Sequence, residues 1–184
     1  MSQQTMFEEY TPASAPAGSR RALERIERSL GFVPAAAARL AGSPELLDGF
    51  QRLSGMFEQS TLDPLARETV IMTVAVRNDC QVCVAMHTAK LAALGAPQAT
   101  VDAMCGQRPL DDERLEAVRR FTLAVLTSAG AVSDADLSDF LAHGHTRRNA
   151  LEVVLGIGTY TMSTFANRLV RAPANERRDP AQTA

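Results

Sequence analysis

Several things are missing from this chain of 184 residues. It has no tryptophan and only three cysteines and three histidines. No segment approaches the roughly 20 consecutive apolar residues that a spanning helix needs, so an integral membrane protein is not expected. The opening, "MSQQTMFEEYTPASAPAG", has neither a basic region nor an apolar core of signal-peptide length. Nothing in it directs export, and the expected compartment is the cytoplasm. Neither charge sign is in excess: the net charge is −2, which gives no reason to expect nucleic acid or an anionic membrane as partner. Strand-like alternation of apolar and polar residues is also absent. What remains is a composition suited to one soluble domain with a sizeable core.

The apolar residues recur at helical intervals almost throughout, and the punctuation between them is that of helix ends. Residues 1–18, rich in Ser, Thr, Ala and Pro, read as a flexible N-terminal arm, and residues 172–184 as a flexible C-terminal tail. Between them, residues 19–171 read as a single helical domain. Ser19 is placed to cap a helix ending near Gly31. Ser43 and Asp63 each precede a proline at a first helical position. A helix from about Cys80 stops at Gly95, and Pro97 opens a short successor. The acids of "LDDERLEAV" suit a first turn, and Gly130 follows that helix's end. Ser133 and Asp136 begin another short helix, and Thr146 caps the last and longest, running to about Arg171. The expectation is an all-α fold of seven or eight helices. Gly156 and Gly158 stand inside the last one, where each costs about 1 kcal/mol against alanine. Close packing against another helix is the plainer explanation, and a subunit interface the other.

The chemistry concentrates in "RETVIMTVAVRNDCQVCVAMH", Arg67–His87. The run Val70–Val76 is nearly all apolar, so its helix is buried on most sides, with Glu68 near its start. Glu68 has two readings: a favourable partner for the helix dipole, or one member of a site. Counting favours the second. Arg77-Asn78-Asp79 is the natural turn, and a short turn makes its flanking helices antiparallel neighbours. Glu68 lies ten residues before Asn78 and His87 nine after it, both roughly 14 Å from the turn at 1.5 Å per residue. A carboxylate therefore faces an imidazole.

Cys80, Cys83 and His87 fall at i, i+3 and i+7, on one helical face. Cys80 is expected in the first turn, with Asp79 or Asn78 as cap, where the dipole favours thiolate over thiol. A helical CxxC pair is close enough to cycle between dithiol and disulfide, and His87 can exchange a proton with Cys83. Zinc is the rival occupant, but a closed structural site needs a fourth ligand. The remaining histidines, His143 and His145, lie in a loop more than fifty residues away. Cys105 is isolated and reads as a small buried hydrophobe. A thioredoxin-type module is disfavoured, because its CxxC follows a strand. The spacing favours a redox thiol site without metal.

Glu68, eleven residues, Cys80-Gln-Val-Cys83, three residues, His87 resembles the signature of the alkylhydroperoxidase AhpD-like proteins of the carboxymuconolactone decarboxylase superfamily. "GFVP" at Gly31–Pro34, "SPELL" at Ser43–Leu47, "LDPLARE" at Leu62–Glu68 and "AALGAP" at Ala92–Pro97 are similar to the family as well. The resemblance implies an all-helical AhpD-like fold assembled as a homo-oligomer, a trimer or hexamer. It implies a peroxidase in which Cys83 is the peroxidatic and Cys80 the resolving cysteine, with His87 and Glu68 as proton relay. The implied substrates are organic hydroperoxides or hydrogen peroxide, and the implied electron donor is a dithiol or a lipoyl-bearing protein. No cofactor and no metal are implied. Val82 stands where some peroxidases of the family carry a second histidine. The decarboxylase branch lacks this CxxC. Two other functions compete: a non-enzymatic redox sensor using the Cys80–Cys83 disulfide, and a decarboxylase-like enzyme acting on a small lactone.

Overall fold

The computed structural model describes residues 6–174. Among them it contains nine α-helices and no strand: α1 (Ala17–Leu30), α2 (Ala35–Leu40), α3 (Pro44–Glu58), α4 (Pro64–Arg77), α5 (Gln81–Ala93), α6 (Gln98–Cys105), α7 (Glu113–Ser128), α8 (Asp134–Ala142) and α9 (Arg147–Leu169). The fold is all-α, as its periodicity requires, with one helix more than the seven or eight expected. The addition is α2, six residues long, whose N-cap is Pro34 and which has no side-chain cap.

Most helix starts follow from their caps. The Ala66 N–H donates to the Asp63 carboxylate, the Leu46 N–H to the Ser43 hydroxyl, and the Asn149 N–H to the Thr146 hydroxyl. Ser133 and Asp136 form a reciprocal capping box at the start of α8. Ser19 departs from expectation. It lies inside α1, which begins at Ala17, and its buried hydroxyl donates to the Ala41 carbonyl at 2.7 Å. Pro16 precedes the helix, so its preset φ replaces a side-chain cap there.

Contacts gather the chain into two compact units. Among the described residues, one comprises those up to Gly49 with those from Ala166 on, and the other Phe50–Phe165. The segment read as one domain, 19–171, runs through both. In the first unit Leu23, Leu40, Leu47, Ala166 and Val170 form the core. Of the residues read as an N-terminal arm, Ala15 is buried, Tyr10 N–H donates to the Ala38 carbonyl, and Glu9 pairs with Arg39 at 2.6 Å. Residues 1–5, and 175–184 of the tail, lie outside the described residues.

The second unit is built around α4, which packs on α5, α6 and α7. Val70, Ile71, Met72, Val74 and Ala75 of α4 are all fully buried, which accounts for the lack of a polar face in its sequence. Thr69 is buried too, and satisfies its hydroxyl on the Leu65 carbonyl. Leu91, Val118, Phe121, Phe140 and Val153 complete this core with Phe57 and Tyr160. The two glycines of α9 differ. A Cβ on Gly156 would stand 2.7 Å from the Phe57 ring and 3.0 Å from Val70, whereas one on Gly158 would meet nothing within 4 Å. Close packing therefore explains Gly156 and not Gly158. Gly156→Ala is expected to destabilise the protein by about 1–3 kcal/mol, the usual cost of overpacking, readable as a lower denaturant midpoint with an unchanged slope. An unchanged midpoint would mean that the Phe57 ring moves aside freely.

Candidate active site

The site lies in the second unit, where α4 turns back into α5. The turn is tight. Asn78 ends α4, Asp79 takes a left-handed conformation at φ 51°, and the Cys80 N–H returns to the Ala75 carbonyl at 2.9 Å. A short polar Asp tolerates that conformation better than most residues. Neither proposed cap is the N-cap residue of α5. Asn78 Nδ2 donates to Thr164 Oγ1 at 2.9 Å, and Asp79 Oδ1 accepts from Gln81 Nε2 at 2.8 Å. Cys80 itself is the N-cap residue, in extended conformation, and Cys83 stands in the first turn of the helix. The dipole argument thus reaches both sulfurs, since Cys80 at the N-cap and Cys83 in the first turn both lie at the positive end of α5.

Cys80 and Cys83 are joined as a disulfide with their Cα atoms 5.4 Å apart. Both are buried, at 1% and 5% exposure. His87 follows one turn after Cys83 on α5. The antiparallel pairing that counting predicts is present: His87 Nδ1 lies 2.7 Å from Glu68 Oε2. An ionised carboxylate can only accept, so Nδ1 carries the proton and Nε2 is left to exchange one. Glu68 is 1% exposed and is not a surface partner of the helix dipole.

Several participants escape the sequence reading. Lys90 Nζ donates to the second oxygen of Glu68, Oε1, at 2.9 Å, and also to Glu58 Oε1. Arg67 Nε stands 3.7 Å from the other oxygen of Glu58. The ring of Tyr160 meets His87 edge-on with centroids 5.5 Å apart, and its hydroxyl lies 3.3 Å from Ser54 Oγ. Lys90 had a legible signal, three residues beyond His87 on the same helix, but a lysine there also suits a solvated face. Tyr160 had none, since its partner helix is distant in sequence.

Electrostatics follow from this arrangement. Burial pushes the Glu68 carboxyl toward a higher pKa, but the hydrogen bonds and charges of His87 and Lys90 outweigh it, and the pKa falls below the ordinary value. Burial lowers the Lys90 ammonium, and its bonds to Glu58 and Glu68 more than reverse this, so its pKa is raised. Burial raises the Tyr160 phenol.

Two further cysteine and histidine readings are resolved by position. Cys105 is exposed, not buried, because it is the last residue of α6 and Val101 and Met104 form that helix's buried face. His145 is buried, stacks on Phe140 with centroids 4.4 Å apart, and donates from Nε2 to the Arg114 carbonyl. His143 lies on Asp139 instead. Among the described residues no three His, Cys, Asp or Glu side chains are grouped as a metal ion requires.

Residues 44–113, which include Glu68, both site cysteines and His87, match the Carboxymuconolactone decarboxylase family model. Over 96% of this chain and 95% of the other, the fold is similar to that of a peroxidase-related protein with an alkylhydroperoxidase AhpD core from Ralstonia eutropha JMP134, with a TM-score of 0.83 at 20% identity. The chain has an AhpD-like all-α fold. Two other solved structures extend this likeness of fold. A peroxidase-related protein from Silicibacter sp. TM1040 matches with a TM-score of 0.75 at 20% identity, over 95% of this chain and 96% of that one. The debrominase Bmp8, solved in complex with 2,3,4-tribromopyrrole, matches with a TM-score of 0.72 at 16% identity, over 94% and 95%. At these identities the likeness carries the fold. No curated protein sequence is significantly similar. Among the described residues no helix is long and apolar enough to cross a membrane.

Proposed function

We propose that this protein is a thiol-dependent peroxidase or disulfide reductase acting on organic hydroperoxides or hydrogen peroxide. The observation that carries the reading is the Cys80–Cys83 disulfide one helical turn from an imidazole whose Nδ1 is held by a buried carboxylate. In the reduced protein the Cys83 thiolate attacks the O–O bond. An S–O bond forms, the O–O bond breaks, and the alcohol or water leaves with a proton supplied through His87, giving a sulfenic acid. The Cys80 thiol then forms the S–S bond, and the sulfenic oxygen departs as water. An external dithiol, a small molecule or a lipoyl group borne by a protein, is oxidised to its own disulfide and restores both thiols. The protein would work in the cytoplasm without a metal or organic cofactor.

Peroxide consumption with dihydrolipoamide is the test. Repeated turnover supports the enzyme. A single stoichiometric oxidation followed by arrest would favour a redox sensor. Activity on a lactone that survives loss of both cysteines would favour a decarboxylase.

The protein is also proposed to be a homo-oligomer, a trimer or hexamer. Within α9 the residues Leu151, Val154, Gly158 and Phe165 fall on one helical face and are exposed, Leu151 at 74% and Phe165 at 59%. A glycine amid exposed apolar side chains suits close approach by another helix. Light scattering at micromolar concentration is expected to report the oligomer, and Phe165→Glu a smaller species. A wild-type monomer would refute the proposal.

A further inference from the structure

The carboxylate that orients His87 is shared. Glu68 Oε2 accepts from His87 Nδ1 at 2.7 Å, and Glu68 Oε1 accepts from Lys90 Nζ at 2.9 Å. Each oxygen thus has its own donor, both from α5, and both donors reach a carboxylate that water scarcely touches. From the geometry we infer that Lys90 is a positioning residue for the redox site: it holds one oxygen of Glu68 so that the other stays anionic and turned toward His87.

The groups around this pair are few. From α3 comes Glu58, bonded to Lys90. From α4 comes Arg67, 3.7 Å from Glu58. From α9 comes the Tyr160 phenol, against the His87 ring. With His87 neutral, two cations (Arg67, Lys90) and two anions (Glu58, Glu68) balance. Removing Lys90 leaves a buried carboxylate whose remaining partner, His87, is a neutral donor until it is protonated. Burial then works on Glu68 with less opposition and favours its protonated form. A protonated Glu68 can turn its hydroxyl toward Nδ1 and lose the tautomer that leaves Nε2 free.

Lys90 does not carry protons itself. Its pKa is raised by Glu58 and Glu68, so it remains an ammonium through the working pH range. It acts as a fixed charge beside a moving proton. The conclusion about Glu68 is independent of the peroxidase reading, and only its catalytic consequence rests on that reading.

The experiment follows the Glu68 carboxyl directly, by carbon NMR on glutamate-labelled protein in the disulfide form, for wild type, Lys90→Met and Lys90→Arg. Methionine keeps most of the stem and removes the charge, whereas arginine keeps the charge. The Glu68 titration midpoint is expected to rise by about one pH unit in Lys90→Met, the low end of the effect of an adjacent opposite charge, and to stay near wild type in Lys90→Arg. In the reduced protein the acid limb of the peroxide-reduction profile should rise with it. At neutral pH, kcat should fall about tenfold with KM little changed, well short of the full loss of acid–base help. A lower melting temperature in Lys90→Met with an unmoved Glu68 midpoint would overturn the inference and leave Lys90 a packing residue. An unmoved kcat alongside a shifted midpoint would overturn its catalytic part. If all three proteins lack peroxidase activity while the midpoint moves as expected, the function proposed above fails and the role of Lys90 in holding Glu68 stands.

Discussion

Cys83→Ser is expected to bring peroxide reduction to background, a loss of at least about 10³-fold, as removal of a covalent nucleophile does. The serine hydroxyl is a far weaker nucleophile than a thiolate, and His87 has no comparably acidic proton to accept from it. The role is proposed for Cys83 on its position. It stands in the first turn of α5, where unpaired N–H groups favour negative charge, and one turn before His87. Cys80, at the N-cap, lies a further turn from the imidazole. Cys80→Ser should therefore behave differently: one equivalent of peroxide consumed quickly, a sulfenic acid trapped by dimedone, and then arrest. Both variants should keep the fold, since each sulfur-to-oxygen change is nearly isosteric. Rapid-mix consumption of peroxide by pre-reduced protein, with intact mass after dimedone, reads both. If Cys80→Ser is dead in the first turnover and Cys83→Ser is not, the two roles exchange.

The fold was legible wherever a side chain marks a helix boundary. Asp63, Ser133 and Thr146 all cap as their sequence context requires, because a capping hydroxyl or carboxylate is a local interaction decided by neighbours three residues away. Starts without a side-chain cap were legible only in part: α5 and α6 begin where expected, whereas α1 begins before Ser19 and α2 was missed. Helices α1 and α2 both start after prolines, and Ser19, a good cap by type, is drawn into α1 by a carbonyl twenty-two residues away. The same division runs through the site. Glu68 and His87 could be paired by counting outward from one short turn, since the turn fixes the register of an antiparallel helix pair. Glu58 and Tyr160 could not, because they arrive from α3 and α9 and no local rule gives the rotation of those helices. Lys90 is an intermediate case. It sits on the right helix, but only the depth of Glu68 makes a flexible lysine bend inward rather than extend into water. Cys105 was misjudged because burial of a small residue at a helix end depends on what covers the end, not on its own apolarity.

Glu68→Gln is expected to slow peroxide reduction by about 10²-fold, within the range for lost acid–base catalysis. The substitution keeps size and shape. It removes the charge that stabilises imidazolium while Cys83 is a thiolate, and it supplies an amide that can donate to Nδ1 as well as accept from it. His87→Ala should cost at least as much, since it removes the proton carrier itself. The double variant should lose little more than the worse single one, because the two residues act as a unit. Stability moves separately. Glu68 is 1% exposed and bonded by both His87 and Lys90, so Glu68→Gln should also cost about 1–3 kcal/mol at neutral pH, as lost hydrogen bonds to a charged group do. The pH dependence separates this from catalysis. The folded-state pKa of Glu68 lies below its ordinary value, so its contribution is full above that ordinary value and disappears as the pH falls through the lowered one. Wild type should therefore lose its advantage over Glu68→Gln in acid, and the two denaturation midpoints should converge there. Single-turnover rates at neutral pH and denaturation midpoints from pH 7 downward measure both effects. If Glu68→Gln turns over at the wild-type rate while the midpoints still converge, the carboxylate holds the hairpin together and takes no part in the chemistry.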